Sequence, residues 1–323
     1  MLLASCLDAS GNGAELLEYV EYCIGKGMPE LNDEFAIAQK KVTRGGMGSI
    51  AGCHVAVHSQ YHHAPAPVPA AAKRQKTSQT TDSGHDHSHS HEHAHSHGHE
   101  HSHDHDHNET SHAHSHSDHQ HHTNGPMRNL PQIKKLLEDA PERYIPSWVK
   151  RISIAAFTEL AKAEAATHGA DTIESVHFHE VGAIDSIVDT VGTVLALYCL
   201  NVTTVSCSRL PMGEGTVWTA HGCLPVPAPA TLRLLVDMPT CPGPLGIVTG
   251  ELVTPTGAAL LKALCLHCPP GNIEKNASMK AILAQGRPPS FTIRKVGIGA
   301  GTKDFEKHPN ILRLLLGDTI VTK

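Results

Sequence analysis

The sequence has no apolar run approaching the ~18–20 residues that a helix needs to cross a bilayer. Its start carries no charged segment followed by an apolar stretch and a cleavage site, so no secretory leader is read there. A soluble, cytoplasmic protein with no membrane partner is expected. Excess basic charge is also missing: 26 Lys and Arg stand against 32 Asp and Glu, giving a formal net charge of −6. With the two signs interspersed, a nucleic-acid surface is not expected. The nine cysteines are odd in number and irregular in spacing, which excludes a disulfide framework and suits a reducing compartment. Cys265-Leu-His-Cys268 is a lone C-x-x-C without a second half, and reads as helix-end cysteines rather than a zinc site.

Histidine is what the chain has in abundance, 28 in all. Eighteen fall within residues 85–122, including His85, His87, His89, His91, His93, His95, His97, His99, His101, His103, His105 and His107. Ser, Asp, Glu, Ala or Gly fill most positions between them. No aliphatic residue larger than Ala occurs there, so the tract cannot bury enough surface to offset the entropy of ordering and is expected to be disordered. The Pro- and Ala-rich stretch 64–81 reads as a linker into it. Neutral imidazoles suit nickel, zinc and copper, and at roughly three to six ligands per ion the tract could hold several ions loosely. The competing reading is a low-complexity spacer. Deleting residues 85–122 is expected to lower nickel stoichiometry by several ions without lowering the melting temperature of the metal-free protein. Nickel on the tract should be released as pH falls through ~6.5, because protonated imidazole has no lone pair to donate. Full nickel retention well below ~5 would show that carboxylates or cysteines hold it instead.

The most compact ligand set outside the tract is His177-Phe-His-Glu-Val-Gly-Ala-Ile-Asp185. With Ser175–His179 as a strand, His177 and His179 share one face. Gly182 permits a turn, and a helix starts at Asp185, with Ile184, Ile187, Val188, Val191 and Leu195 as its apolar stripe. Asp185 and Asp189 lie on one face, near a dipole end that favours acids. Together with Glu180 these groups suit a divalent metal or proton transfer. The alternative is one paired histidine beside ordinary helix-start acids. A long helix over Ser147–His168, ended by Gly169, leads into this corner. Its Ile152, Ala156, Leu160 and Ala163 should face inward, with Glu164 and His168 four apart on one face. His168 is a candidate ligand or a residue set against the helix dipole.

Elsewhere the pattern predicts helix over residues 1–25, a hairpin over Lys41–Ser59 with Gly45, Gly46 and Gly48 at its turn, and a short helix over Leu130–Glu138. Val202–Ser208 reads as a β-branched strand. The prolines of Leu224–Ala230 exclude regular structure until Pro229 opens a helix over Ala230–Val236. Thr254 caps a further helix with Pro255 at its first position. Amides there, with Thr256 and Gly257, could take a phosphate, against a simple well-capped start. Residues 271–290 look loosely structured. Val296-Gly-Ile-Gly-Ala-Gly301 lacks the Lys-Ser/Thr of a P-loop and reads as a flexible, anion-facing loop. Asn310–Leu316 closes as a strand. The expected fold class is α/β, a mixed sheet with packed helices, with the parts of the core at 1–60 and 127–323 separated by the linker and tract at 61–126.

The stretch His177–Asp189 resembles the LarC nickel-insertion proteins. Leu160-Ala-Lys-Ala-Glu-Ala-Ala-Thr-His-Gly169, Ala220-His-Gly-Cys-Leu-Pro-Val-Pro-Ala-Pro-Ala-Thr231, Glu251-Leu-Val-Thr-Pro-Thr-Gly-Ala258, Val296–Gly301 and Pro309-Asn-Ile-Leu-Arg313 match in the family's order. A histidine-rich insertion before the long helix is also typical of it. The resemblance implies nickel insertion into pyridinium-3,5-bisthiocarboxylic acid mononucleotide, a CTP-dependent cyclometallation of the lyase type that completes the pincer cofactor of lactate racemase. CTP with Mg or Mn is then expected, the CTP dependence residing in a C-terminal domain that would follow where this chain ends and could act in trans. The family's opening strand and Asp-rich loop would precede Met1, so the chain reads as a metal-handling half. Within this resemblance His177, His179, Glu180 and Asp185 are the candidates for chemistry. His177, His179, His168 and Asp189 are the candidate metal ligands, and Thr254, Thr256 and Gly257 the candidates for the phosphate. A nickel storage or delivery protein without catalysis is the rival function, and oligomerisation is left open.

Overall fold

The computed structural model of the protein describes residues 1–59, 126–176, 178, 184–219, 221–269 and 290–319. Its α/β architecture is the expected one, a mixed sheet with helices packed on it. Strands β1 (Phe35–Arg44) and β2 (Ile50–Ser59) form an antiparallel hairpin in register from Phe35↔Ser59 to Arg44↔Ile50. The first strand begins six residues earlier than the sequence reading placed it. Its turn uses Gly45 at φ 87, where an added Cβ would meet the Pro309 backbone at 3.1 Å. Strand β7 (Phe291–Ala300) joins β2 in parallel at Cys53↔Gly299, and β8 (Ile311–Thr319) pairs antiparallel with β7, giving the order β1-β2-β7-β8.

The glycine-rich stretch 296–301 is therefore not a loop. Residues 296–300 lie in β7, and the glycines mark where helix α1 (Leu2–Ser10) crosses the strand. A Cβ on Gly297 would lie 2.0 Å from the Ser5 carbonyl oxygen, and one on Gly299 2.1 Å from that of Met1. Only glycine lets a helix backbone approach a strand this closely. Asp8 of α1 reinforces the contact by accepting the Ile298 amide at 2.8 Å.

The expected first helix is two. Gly11, at φ 80, ends α1, and α2 spans Gly13–Gly27 with Leu17, Val20, Cys23 and Ile24 buried. On the sheet face that α1 covers, Phe35, Ile37, Val55, Val57 and Leu314 pack against the core and Cys53 enters it. Beyond lie α3 (Leu130–Asp139), α4 (Ser147–His168) and α5 (Ile184–Cys199). Helix α4 has the predicted limits, with Ile152, Ala156, Leu160 and Ala163 buried and Gly169 left-handed at φ 67. Asn129 and Gln132 close a capping box at the start of α3, which satisfies two amides that would otherwise lack partners.

Val202–Ser208 is not a strand: residues 202–209 have no regular structure. The Val205 amide donates to the Cys268 carbonyl at 2.6 Å, but β propensity alone does not make a strand without a ladder. Short pairs follow instead, β3 (Leu210–Pro211) with β6 (Thr240–Cys241) and β4 (Thr216–Thr219) with β5 (Gly222–Pro225). Strand β5 thus reaches Pro225, inside the run expected to be irregular. Helix α6 spans Pro229–Leu234, two residues short of the expectation, and α7 spans Pro255–His267. The reading of residues 271–290 falls almost wholly outside the described residues.

Candidate functional site

His177, His179 and Glu180 lie outside the described residues, as do the tract histidines from His85 to His107. The described part of the expected strand is not one. Ser175 is held in a turn, its hydroxyl donating to the Thr172 carbonyl at 2.8 Å. Val176 and Phe178 are both buried, so the alternation of inward residues survives without a ladder.

The helix after the corner forms as expected. Ile184, Ile187, Val188, Val191 and Leu195 are all buried on α5. Asp185 sits in its first turn and accepts the Ser186 amide at 2.9 Å. Asp189 is exposed on α5, yet neighbouring atoms remove enough water from its carboxyl to push it above the usual range. The negative charge of Asp185 adds to that shift, as a nearby like charge does.

At the end of α4, His168 does what four-residue spacing allows: its Nε2 lies 3.3 Å from Glu164 Oε2. The tertiary fold adds a residue that the sequence reading did not weigh. His221, in the tight turn between β4 and β5, places its ring centroid 4.7 Å from that of His168. The turn is held by the Thr219 hydroxyl, which accepts the His221 amide at 3.0 Å, and by Gly222 at φ 91. A carboxylate on one ring nitrogen of a histidine fixes the orientation of the imidazole. Among the described residues no group of three or more His, Cys, Asp or Glu side chains could hold a metal ion. The two imidazoles are nevertheless of a donor type that suits nickel. The signal that could have found His221 was the Ala220-His-Gly stretch, a histidine beside a glycine turn.

Thr254 caps α7 as predicted, its Oγ1 accepting the Gly257 amide at 3.2 Å. That bond changes the reading of this helix start. Pro255 has no N–H, Gly257 donates to the cap, and Ala258 donates to the Thr254 carbonyl at 2.9 Å. Of the first turn only the Thr256 amide is left for a ligand. The Thr256 hydroxyl also lies 3.4 Å from that of Ser186, so the starts of α5 and α7 meet. A separate groove of about 440 Å³ between α4 and α7, lined by Ala155, Glu159, Lys162, Leu266 and His267 among others, shares no residue with these groups. Burial lowers the His267 pKa, and Arg151, 3.2 Å away, adds to this.

No helix among the described residues is long and apolar enough to cross a membrane. No solved structure matches the chain. Curated relatives named "Putative nickel insertion protein" do. One from Myxococcus xanthus (strain DK1622) is 43% identical over 193 residues, covering 59% of this chain and 43% of the relative. One from Geobacter sp. (strain M21) is 46% identical over 193 residues, covering 60% and 44%. A third, from Synechocystis sp. (strain ATCC 27184 / PCC 6803 / Kazusa), is 45% identical over 204 residues, covering 62% and 43%. The matched part is therefore less than half the length of these relatives. The family model described as Nickel insertion protein matches residues 1–323, and the chain belongs to that family.

Proposed function

We propose that this chain carries nickel as cargo and places it into pyridinium-3,5-bisthiocarboxylic acid mononucleotide, the maturation step of a nickel-pincer cofactor. The observation that carries the reading is the His168–His221 imidazole pair, with His168 oriented by Glu164 and lying nine residues before His177 in the chain. Insertion asks for three things: donors that hold Ni²⁺ without trapping it, a base for the pyridinium C–H, and a hold on the phosphate. Two imidazoles are borderline donors of that kind. In this proposal His177 and His179 complete the ligand set, with Asp189 as a further candidate ligand. Glu180 or Asp185 takes the proton as the nickel–carbon bond forms. The Thr256 amide, with the hydroxyls of Thr256 and Ser186, faces the phosphate.

The described residues do not fit CTP. The first turn of α7 retains one amide, and the glycines of β7 are occupied by α1. The proposal places the CTP dependence, with its Mg or Mn, outside the described residues. The second reading is nickel storage or delivery without catalysis, which the 18 histidines of residues 85–122 favour.

Transfer from the nickel-loaded protein to the mononucleotide, with and without CTP and the C-terminal half of a longer relative, separates the two. His168→Ala and His221→Ala are each expected to lower transfer by about tenfold or more, the scale on which metal affinity responds when a site is disturbed. Total nickel, dominated by the tract, should hold steady. Unchanged transfer in both variants would make the pair structural. No transfer under any condition would leave storage as the function.

A further inference from the structure

The groove between α4 and α7, about 440 Å³ in volume, lies apart from the groups assigned to nickel and phosphate. One stripe of each helix builds it. Ala155, Thr158, Glu159 and Lys162 recur at helical spacing on α4, as do Ala263, Leu266 and His267 on α7, so each set shares a face. Ala155, Ala263 and Leu266 give the groove apolar walls. Its size falls among small-molecule sites, roughly 300–1,000 Å³. Arg151, one turn before Ala155, extends the α4 stripe and reaches from α4 to His267 on α7.

The charges along this groove are mostly positive. Glu159 is the carboxylate among the lining residues, and both its oxygens are answered. Lys162 Nζ lies 2.7 Å from Oε1 and Lys262 Nζ 3.7 Å from Oε2. Lys262 is only 11% exposed and also donates to the Leu234 carbonyl at 3.2 Å. Lys162 is 55% exposed, and an ammonium has three protons to donate. Among the described residues no carboxylate forms an ion pair with Arg151. A guanidinium has donors only, so Arg151 Nη1 donates to His267 Nδ1 at 3.2 Å. That contact fixes the ring proton on Nε2. Burial and the Arg151 charge both lower the His267 pKa and so hold the ring in this neutral form. Arg151, Lys162 and Lys262 thus stand against one carboxylate, with the His267 Nε2–H as a further donor.

We propose that this groove binds a small carboxylate with a flat apolar body. The carboxylate accepts from His267 Nε2–H and the Arg151 guanidinium, a donor type whose fork matches a carboxylate. The body lies on Ala155, Ala263 and Leu266, and Lys162 stands at the far end. A divalent cation would instead meet three like charges and an imidazole whose two nitrogens are engaged or protonated.

The test uses the full chain, metal-free at pH 8, so that the tract is neutral and holds no ion that could capture a carboxylate. Naphthoate is the probe. Naphthylmethanol and naphthylmethylammonium share its body, with no charge and with the opposite charge. Naphthoate is expected to bind saturably and about tenfold or more tightly than either, the scale of one hydrogen bond to a charged group. Arg151→Gln should weaken it by about tenfold, and Lys162→Gln, already engaged with Glu159, by about threefold. Amides of residues 155–162 and 263–267 should exchange more slowly with naphthoate bound. Ala155→Leu, which fills the groove, should abolish binding. Arg151 and Lys162 are exposed, so their variants should melt as wild type does and keep the test decisive if Ala155→Leu folds poorly. Absence of saturable naphthoate binding overturns the proposal, as does equal binding of the alcohol or the ammonium. Arg151→Gln binding as wild type does, or slowed exchange confined to segments outside α4 and α7, would overturn it too.

Discussion

Gly297→Val is expected to destabilise the protein by about 3 kcal/mol or more, at the upper end of overpacking costs. For a folded part of this size that lowers the melting temperature by roughly 6–12 °C. The reason lies in what the new side chain would meet. Its Cβ would sit 2.0 Å from the Ser5 carbonyl oxygen and 2.8 Å from both the amide nitrogen and Cβ of Ala9. Two of these are backbone atoms of α1, so no rotamer change relieves the clash, and the helix must lift from the strand. Lifting it would uncover Leu3 and Leu7, each 1% exposed, and burial of such a side chain contributes roughly 1.5–3 kcal/mol. Gly48→Ala is the control. Nothing lies within 4 Å of its Cβ, and the substitution should leave the melting temperature level or raise it slightly. Calorimetry of the two variants decides the matter: equal melting would mean that α1 does not rest on β7.

The second large effect concerns Arg128, just after the histidine-rich segment. Its Nη2 lies 2.6 Å from Glu34 Oε1, and both side chains are only 11% exposed. The other carboxylate oxygen of Glu34 is buried without a hydrogen-bond partner among the described residues. The pair therefore rests on a single strong contact at the entry to β1. Arg128→Ala leaves a carboxylate with neither water nor a cation, and about 3–5 kcal/mol of stability should be lost. The double replacement Glu34→Leu with Arg128→Met should recover most of that loss, because apolar residues of similar volume often match a buried ion pair. Urea denaturation of wild type, Arg128→Ala and the double variant measures all three. A single variant as stable as wild type would show that the pair is solvated.

Helix α4 was readable from residues alone because its signals are local. An apolar stripe at helical spacing, Gly169 at the end and a Glu164–His168 pair one turn apart need nothing beyond the segment itself. The same holds for the start of α5, the Thr254 cap and the β1–β2 hairpin. Segments whose state depends on a distant partner were misread. Val202–Ser208 has strand composition but gains one backbone bond to Cys268 rather than a ladder. Val296–Gly301 has loop composition and is mostly strand, since its glycines answer to a helix almost 300 residues away in sequence.

The candidate site divides along the same line. The sequence by itself determined the ligand types, the histidine-rich tract, the His-Phe-His-Glu corner, the acids at the start of α5 and the α/β class, because residue chemistry and short-range periodicity carry all of these. Only the tertiary structure decided that His221 stands beside His168 and that Ser186 meets Thr256. It also decided that the cap and Pro255 leave α7 a single first-turn amide. Each of those depends on where chain segments distant in sequence come to rest, or on which atom takes a given N–H, and no local pattern encodes that.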